Sequence, residues 1–395
     1  MILTNKQEQG LKIAIDRYNA GEPWTCISGY AGSGKTTLVK HIIEALDLNP
    51  EDDVCYVAYT GKAANVLRSK GNPNAKTLHK LIYKTEMRND KYVSILRTEF
   101  EQPYKVIVLD EVSMIPQNMW EELLGFGVYV LACGDPGQLP PISGTQASVI
   151  QKPHIFLDEI MRQAQESEII RLSMLVREGK ELPLFKGNEV QVFNRNELNE
   201  GMLLWADQVL CATNNNKIAL NKNIRKQLGY IEDFVVGEKI ICQSNQWETL
   251  SNEGTPLTNG TILTVNSITP SELYYSYKTN VNPKVIPISY INATSEVSEM
   301  YPYLMLDYNA LLTGNDTFDI SSIIAIRKSR DKLDRWKVPI HFDYGYAITT
   351  WKAQGSEWDN VLLLEENHPF DKEEHIKYMY TGITRASKKL VIIKK

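Results

Sequence analysis

The most constraining feature of the chain is a glycine-rich loop motif near its N-terminus. Residues 29–36 read Gly-Tyr-Ala-Gly-Ser-Gly-Lys-Thr, after an apolar run at 24–27 and before a segment with helical spacing of apolar residues. Such a loop turns backbone N–H groups toward phosphates at a helix N-terminus, where the lysine meets the β- and γ-phosphates. A chance glycine-rich turn lacks this order of strand, loop, lysine and helix. The motif predicts a nucleoside triphosphate site formed by Gly29, Ala31, Gly32, Ser33, Gly34, Lys35, Thr36 and Thr37, with Thr36 holding Mg²⁺.

Length and composition set wide limits. The 395 residues are enough for several domains, and the net charge of −5 means that any nucleic-acid partner must meet a local basic groove. The five cysteines are odd in number and widely spaced in apolar runs, which predicts reduced core residues without a zinc site. Because no signal-like or membrane-spanning apolar run occurs, we expect a cytoplasmic protein with no membrane partner.

Strand-like and helix-like segments alternate along much of the chain. Strands are predicted at 24–28, 54–59, 106–109 and 128–133, with helices starting at 35 and 61. A second α/β unit begins near Phe156, with a helix at 167–176, a strand at 208–212, a helix at 214–228 and closing strands at 361–364 and 390–393. The pattern predicts an α/β protein with two parallel-sheet lobes.

Two segments interrupt this alternation. Residues 81–103 are polar around a turn-like stretch at 88–91, which predicts a hairpin insert, and residues 229–339 are rich in β-formers and turn pairs, which predicts a small β-barrel insert. The first lobe then comprises residues 1–80 and 104–155, and the second comprises residues 156–228 and 340–395.

Acidic and amide side chains follow two of the buried strands. Asp110 and Glu111 come directly after the strand at 106–109, where parallel strands present their functional ends. We assign Asp110 to the metal and Glu111 to orienting and deprotonating the attacking water. Gln138, in the loop at 134–141, is a candidate for contact with the γ-phosphate, although such a Pro/Gly-rich stretch is also typical of an ordinary turn.

Taken in order, these segments resemble the superfamily 1 DNA helicases, most closely the RecD/Dda-like branch. The resemblance rests on Gln7, the phosphate loop and the segments 59–64, 77–79, 110–114, 134–141, 162, 346–357 and 380–386. It implies two RecA-like lobes with an SH3-like barrel as the second insert. The two inserts resemble those of this family only in their composition and their place in the chain, and neither contains a firm family motif.

The resemblance also implies how the nucleotide is held. ATP lies between the lobes, Gln7 reads adenine, Gly355 and Glu357 face the nucleotide, and the catalytic set is Lys35, Asp110, Glu111, Gln138, Arg162 and Arg385. The two arginines come from the second lobe and stabilise charge on the transferred phosphoryl group. One departure is Met161, which stands where some members have an adenine-stacking tyrosine.

The strand-binding residues are likewise implied by the resemblance. They are Thr60, Lys62, Thr77 and His79 in the first lobe and Thr213, Asn214, Thr350, Trp351 and Lys352 in the second. Many relatives have histidine where this chain has Trp351, and the indole either stacks on a base or packs under its loop. Tyr92 is a candidate tip for a wedge formed by the first insert, which is equally compatible with an ordinary surface hairpin.

The function implied is ATP-driven translocation on single-stranded DNA, 5′ to 3′, with unwinding at single-strand/duplex junctions. The cofactors are ATP and Mg²⁺, and a monomeric motor in a bacterial or phage-infected cell is expected. Two alternatives stay open: a nucleic-acid clamp that uses ATP as a switch, and an RNA-directed translocase. The intact Glu111 and arginines favour catalysis over the clamp.

Overall fold

The alternation of strand and helix formers in the first 160 residues produces a six-stranded parallel sheet. The structure is a computed structural model that describes residues 3–88, 91–141, 147–161, 166–230, 234–275, 284–306, 311, 339–366 and 371–395. By its internal contacts the chain divides into two compact units, which are residues 1–202 with 350–395, and residues 203–349.

The helices of the described residues are, in chain order, Asn5–Asn19 (α1), Lys35–Ala45 (α2), Gly61–Ser69 (α3), Leu78–Ile82 (α4), Gln117–Leu124 (α5), Glu168–Arg177 (α6), Glu200–Trp205 (α7), Asn214–Gln227 (α8) and Lys372–Ile383 (α9). The strands are Trp24–Gly29 (β1), Val54–Ala58 (β2), Lys76–Thr77 (β3), Tyr83–Arg88 (β4), Lys91–Leu96 (β5), Val106–Leu109 (β6), Tyr129–Gly134 (β7), Ile155–Leu157 (β8), Phe185–Lys186 (β9), Val190–Phe193 (β10), Gln208–Cys211 (β11), Lys239–Cys242 (β12), Gln246–Leu250 (β13), Pro256–Leu257 (β14), Ile262–Tyr275 (β15), Lys284–Ser295 (β16), Met300–Leu306 (β17), Phe342–Tyr344 (β18), Ala347–Thr349 (β19), Trp358–Leu364 (β20) and Ala386–Ile393 (β21).

The first sheet has the order β3-β2-β6-β7-β1-β8, and its neighbours are parallel throughout. Its strands are apolar along their length because both faces are covered, with one buried cluster around Ile107 and Trp120 and another around Ile42 and Val108. Since parallel strands end at the same edge, the loops that follow β1, β6 and β7 emerge together. These loops carry the phosphate-loop motif, the two carboxylates and Gln138.

The first sheet extends past its predicted boundary at residue 155. β8 pairs with β1 in the register Ile27↔Ile155 to Gly29↔Leu157, so Phe156 and Leu157 belong to this sheet rather than to the start of the second α/β unit. The alternation of buried Ile155 and Leu157 with exposed Phe156 is the pattern of an edge strand, which a three-residue segment does not reveal by sequence alone.

The first unit also contains a second set of strands. β20, β21 and β10 are parallel neighbours, and β9 lies antiparallel at the outer side of β10. Helices α6 and α9 pack together in the same unit. Both predicted closing strands are present and longer than expected, since β20 begins at Trp358 and β21 at Ala386.

The second unit combines a parallel pair, β11 and β19, with a five-stranded antiparallel sheet of order β17-β16-β15-β12-β18. This sheet includes Phe342–Tyr344, beyond the predicted end of the insert at 339, because β18 pairs with β12. An isolated bridge joins Leu306 at the end of β17 to Ile340, shortly before β18. Closure into an SH3-like barrel stays a prediction.

The polar segment at 81–103 forms a two-stranded hairpin, in which β4 and β5 pair from Tyr83↔Leu96 to Arg88↔Lys91. Its turn at residues 89–90 and the side chain of Tyr92 lie outside the described part of the structure. All five cysteines are buried and free, as predicted. Within the described ranges, no helix has the length and apolar character needed to span a bilayer.

Candidate nucleotide-binding site

The phosphate loop has a backbone that requires glycine at several positions. Gly32 and Gly34 have φ angles of 75° and 81°, a left-handed conformation that other residues adopt only with strain. At Gly29, a Cβ atom would lie 2.7 Å from the carbonyl oxygen of Leu157, so a side chain there would collide with β8. Gly34 immediately precedes α2, and the loop therefore wraps the start of that helix.

Two polar side chains of this segment, Lys35 and Ser33, lie close to Gly29. The Lys35 ammonium donates hydrogen bonds to the carbonyl oxygens of Gly29 (2.7 Å) and Tyr30 (3.0 Å). The hydroxyl of Ser33 is buried and has no hydrogen-bond partner among the described residues. A cation, an available hydroxyl and the N–H groups at the start of a helix are the donors that a phosphate group needs.

Beside the loop lies a cavity of about 600 Å³, contained within the first unit. It brings together residues from four separate sequence motifs. Those predicted residues that line it are Ala31, Gly32, Lys35, Thr36, Asp110, Glu111, Gly355, Glu357 and Arg385. Of these, Gly355 has a φ of 71° and approaches so closely that its Cβ would lie 2.8 Å from that of Ala63.

The two carboxylates at the end of β6 are held in unusual surroundings. Burial, and then the neighbouring Glu111, raise the pKa of Asp110 to about 6. One Asp110 oxygen accepts the N–H of Glu111 at 2.9 Å, and Glu111 itself has left-handed backbone angles, φ 54° and ψ 44°. Such strain in a residue other than glycine costs about 1–3 kcal/mol and is concentrated at functional sites.

The same cavity wall fits a magnesium ion. Mg²⁺ prefers oxygen ligands and is usually held by one or two carboxylates together with substrate phosphates. Thr36 supplies a hydroxyl and Asp110 a carboxylate, and both line the cavity with Lys35. The donor set therefore matches the predicted metal, which would neutralise phosphate charge when bound.

Arg385 is fixed at the wall by three hydrogen bonds. Its Nε donates to the Thr381 carbonyl, its Nη1 to the Ser356 carbonyl and its Nη2 to the Thr384 hydroxyl, each at 3.1 Å. Because a guanidinium has five N–H donors, two remain for a ligand after these three bonds to described residues. Arg162 lies outside the described residues, so the second predicted arginine stays a prediction.

Several predicted residues do not line the cavity: Gln7, Gly29, Ser33, Gly34, Thr37 and Gln138. Gln7 is 1% exposed, accepts the Thr4 N–H at 3.0 Å and donates to the Gly34 carbonyl at 3.3 Å. It thus completes a capping box at the start of α1, which the Thr-x-x-Gln spacing of residues 4–7 could have revealed. A role for Gln7 in reading adenine stays a prediction.

The loop that follows β7 is held by residues that sequence reasoning did not select. Tyr380 donates from its hydroxyl to Asp135, while Leu139 donates its N–H to the Thr381 hydroxyl at 3.0 Å and accepts from the Gln354 amide at 2.7 Å. Gln138, between them, has a buried Oε1 without a partner among the described residues. The motif segments contained all of these residues, but no local pattern marks a bond between distant segments.

The predicted strand-binding threonines serve as helix caps. The Thr60 hydroxyl accepts the Ala63 N–H at the start of α3, and the Thr77 hydroxyl accepts the Lys80 N–H at the start of α4, both at 3.2 Å. In the second unit Thr213 caps α8 in the same way, and Asn214 is the first residue of that helix.

The other strand-binding candidates of the first unit are packed to different degrees. The Lys62 ammonium is buried 3.9 Å from the centre of the Trp358 ring. Burial lowers the pKa of His79, which lies beside Tyr59 and Tyr83, and so favours the neutral form of its ring. Thr350 is fully buried, and Trp351 and Lys352 are half-buried. Roles of these residues in strand binding stay predictions.

Sequence comparisons match this chain to two domain families and to individual helicases. Residues 4–196 match the AAA domain family, and residues 344–393 match the UvrD-like helicase C-terminal domain family. Over an alignment 430 positions long, the chain is 24% identical to the ATP-dependent DNA helicase Dda of Enterobacteria phage T4, and the alignment covers 97% of both chains. It is 26% identical to the RecD2 DNA helicase of Deinococcus radiodurans, covering 93% of this chain and 46% of RecD2.

Solved structures of Pif1 helicases share the fold. Bacteroides Pif1 bound to single-stranded DNA aligns with a TM-score of 0.52 at 17% identity, covering 99% of this chain and 92% of that one. Pif1 from Candida albicans aligns with a TM-score of 0.51 at 17% identity, covering 100% and 94%. These matches confirm the predicted α/β fold with RecA-like parallel sheets. The chain belongs to the superfamily 1 helicases of the RecD, Dda and Pif1 type, a class of ATP hydrolases.

Proposed function

We propose that the chain hydrolyses ATP in the cavity beside Lys35 and uses the energy to move 5′ to 3′ along single-stranded DNA, unwinding duplex ahead of it. The observation that carries this proposal is that Lys35, Glu111 and Arg385, from three separate motifs, line one cavity. A clamp that uses ATP only as a switch is not favoured, since it needs neither a positioned carboxylate nor a fixed guanidinium.

Each side chain has a distinct task in hydrolysis. Lys35 binds the β- and γ-phosphates, and Thr36 and Asp110 would hold Mg²⁺, which would supply positive charge to shield these phosphates. Glu111 orients the attacking water and accepts its proton. Arg385 stabilises the charge that develops on the phosphoryl group, an effect worth roughly 10³ to 10⁵ in rate for such arginines. Gln138 can accept a hydrogen bond from the attacking water through its Oε1, or donate to the γ-phosphate through its amide nitrogen.

DNA as the substrate is supported by the related Dda and RecD2 helicases, which are DNA helicases, and by the Pif1 structure that contains single-stranded DNA. We place the strand against the N-terminus of α3, which Thr60 caps, where backbone N–H groups favour phosphate oxygens. Such contacts fix position without reading sequence, and binding should weaken steeply with salt. The 5′ to 3′ direction, a monomeric state and a cytoplasmic location rest on the family resemblance and the reduced cysteines.

The hairpin of β4 and β5 is our candidate wedge. Opening one base-pair step opposes about 1.4 kcal/mol of stacking, so a rigid element ahead of the motor is expected. The hairpin is anchored at its base, where Tyr83 donates to Glu122 and Arg97 donates to the Tyr83 carbonyl at 3.0 Å. Tyr92 is the proposed aromatic contact.

An unwinding assay on tailed duplexes tests the proposal. With ATP and Mg²⁺, a duplex with a 5′ single-stranded tail should be unwound, a duplex with a 3′ tail should not, and Lys35→Ala should unwind neither. Unwinding of the 3′-tailed duplex instead would contradict the proposed 5′ to 3′ direction. ATP turnover without unwinding of either duplex would contradict the proposed helicase activity. Matched RNA tails separate a DNA motor from an RNA-directed one.

A further inference from the structure

Tyr380 of α9 joins two loops that flank the nucleotide cavity. Its hydroxyl accepts the Ala31 N–H of the phosphate loop at 2.9 Å and donates to Asp135 Oδ2, in the loop after β7, at 2.7 Å. The side chain is 1% exposed. None of the motifs assigned a role to this tyrosine.

The connection continues through Asp135 to the neighbour of Gln138. The second carboxylate oxygen of Asp135 accepts the Gly137 N–H at 2.9 Å. Gly137 packs directly on the tyrosine, since a Cβ there would lie 2.9 Å from Tyr380 Cε1. We call this chain of bonds, from Ala31 N–H through Tyr380 and Asp135 to Gly137 N–H, the Tyr380 bridge.

The two side chains of the bridge, Tyr380 and Asp135, are buried. Asp135 is 2% exposed, and burial raises the pKa of its carboxyl group. A buried carboxylate is costly unless donors satisfy it, and here the Tyr380 hydroxyl and the Gly137 N–H are both directed at it. Hydrogen bonds in such an environment are stronger than in water, so the two loops are held in a defined relation.

We propose that Tyr380 is a positioning residue for ATP hydrolysis, which holds the Gln138 loop in register with the phosphate loop. Ala31 lines the cavity, whereas Tyr380 does not. The tyrosine therefore acts on the reaction through the placement of Gln138 and leaves nucleotide affinity to Lys35 and its neighbours. This inference rests on the proposed ATPase function.

The test compares two buried tyrosines of α9. Tyr378 is as buried as Tyr380, but its hydroxyl donates to the backbone oxygen of Leu364, away from both loops. For Tyr380→Phe we expect kcat of DNA-stimulated ATP hydrolysis to fall at least about ten-fold, equivalent to about 1.4 kcal/mol. Affinity for a fluorescent ATP analogue should stay within about two-fold. Tyr378→Phe should lower Tm by about as much as Tyr380→Phe does, but it should leave kcat unchanged.

A double-mutant cycle with Asp135→Asn isolates the bridge. Asp135→Asn alone should lower kcat without loss of nucleotide affinity. In the double variant, the fold-decrease in kcat should be much smaller than the product of the two single fold-decreases. If Tyr380→Phe does not fold, Asp135→Asn still tests the inference, because wild-type kcat in that variant would overturn it.

Two failures are distinguishable. If the wild-type protein does not hydrolyse ATP with DNA present, the proposed function itself is wrong. If the wild type is active but Tyr380→Phe matches Tyr378→Phe in kcat, or the two bridge substitutions multiply independently, the positioning role of Tyr380 is wrong and the proposed function stands.

Discussion

The nucleotide cavity and the predicted strand-binding positions of the same unit use their polar groups differently. At the cavity, Arg385 retains two N–H donors after its bonds to other described residues. At the strand-binding positions, Thr60 and Thr77 are occupied as helix caps and the Lys62 ammonium is buried against Trp358.

Under the proposed function, this difference would correspond to two modes of recognition. A nucleotide is a single ligand with a reacting centre, so individual side chains must reach it. A strand presents a repeating phosphate backbone, which helix N-termini can bind through N–H groups while the side chains hold those helices in shape. Substitutions at the cavity should therefore lower the rate of ATP hydrolysis, whereas substitutions at the helix caps should mainly lower the stability of the fold.

The largest effect is expected from Lys35→Ala. Removing the ammonium that lies inside the phosphate loop should reduce DNA-stimulated ATP turnover by about 10³-fold or more, because the γ-phosphate loses its principal cation. Lys12→Ala, an exposed lysine of α1, serves as the control. Turnover is measured by phosphate release. If Lys35→Ala turns over ATP within ten-fold of the control, the cavity is not the site of ATP hydrolysis.

The next effect is that of Glu111→Gln. The amide keeps the size of the side chain but cannot accept the proton of the attacking water, so hydrolysis should fall by about 10²–10⁴-fold. Binding of the ATP analogue should be retained, and Glu44→Gln, at an exposed position of α2, provides the matched control. Wild-type turnover in Glu111→Gln would remove this residue from the base role.

The smallest effect concerns the caps. Thr60→Ala should cost about 1 kcal/mol of stability, whereas Thr60→Gly should cost only a few tenths, because glycine is an acceptable N-cap. If the strand meets the backbone of α3, single-stranded DNA should bind Thr60→Gly within about two-fold of wild type. Equal and large losses of DNA affinity in both variants, with stability intact, would show that the hydroxyl itself contacts DNA.

The parts of the fold that sequence predicted well are those set by local chemistry. β6 runs over residues 106–109 as expected, because four apolar residues between polar ones define it, and the phosphate loop is defined by its glycines. The placement of Phe156 and Leu157 in the first sheet and of β18 in the antiparallel sheet depends on pairing with distant strands. A three-residue strand carries too little pattern to specify such a partner.

The same limit applies to the candidate site. The cavity residues were found because each lies in a motif whose chemistry is visible along the chain. Tyr380 and Asp135 are 245 positions apart, and only the folded arrangement shows that they bond. Gln7 was assigned to adenine, while the structure shows both of its amide atoms engaged in a cap and a loop contact.

The central claim is that Arg385 supplies positive charge to the reacting phosphoryl group. Its most direct test is steady-state ATP turnover by Arg385→Ala at saturating single-stranded DNA, with Arg171→Ala, an exposed arginine of α6, as the control. We predict that kcat falls by about 10³-fold while affinity for the ATP analogue changes little. A kcat equal to that of Arg171→Ala, in protein shown to be folded, would contradict the account.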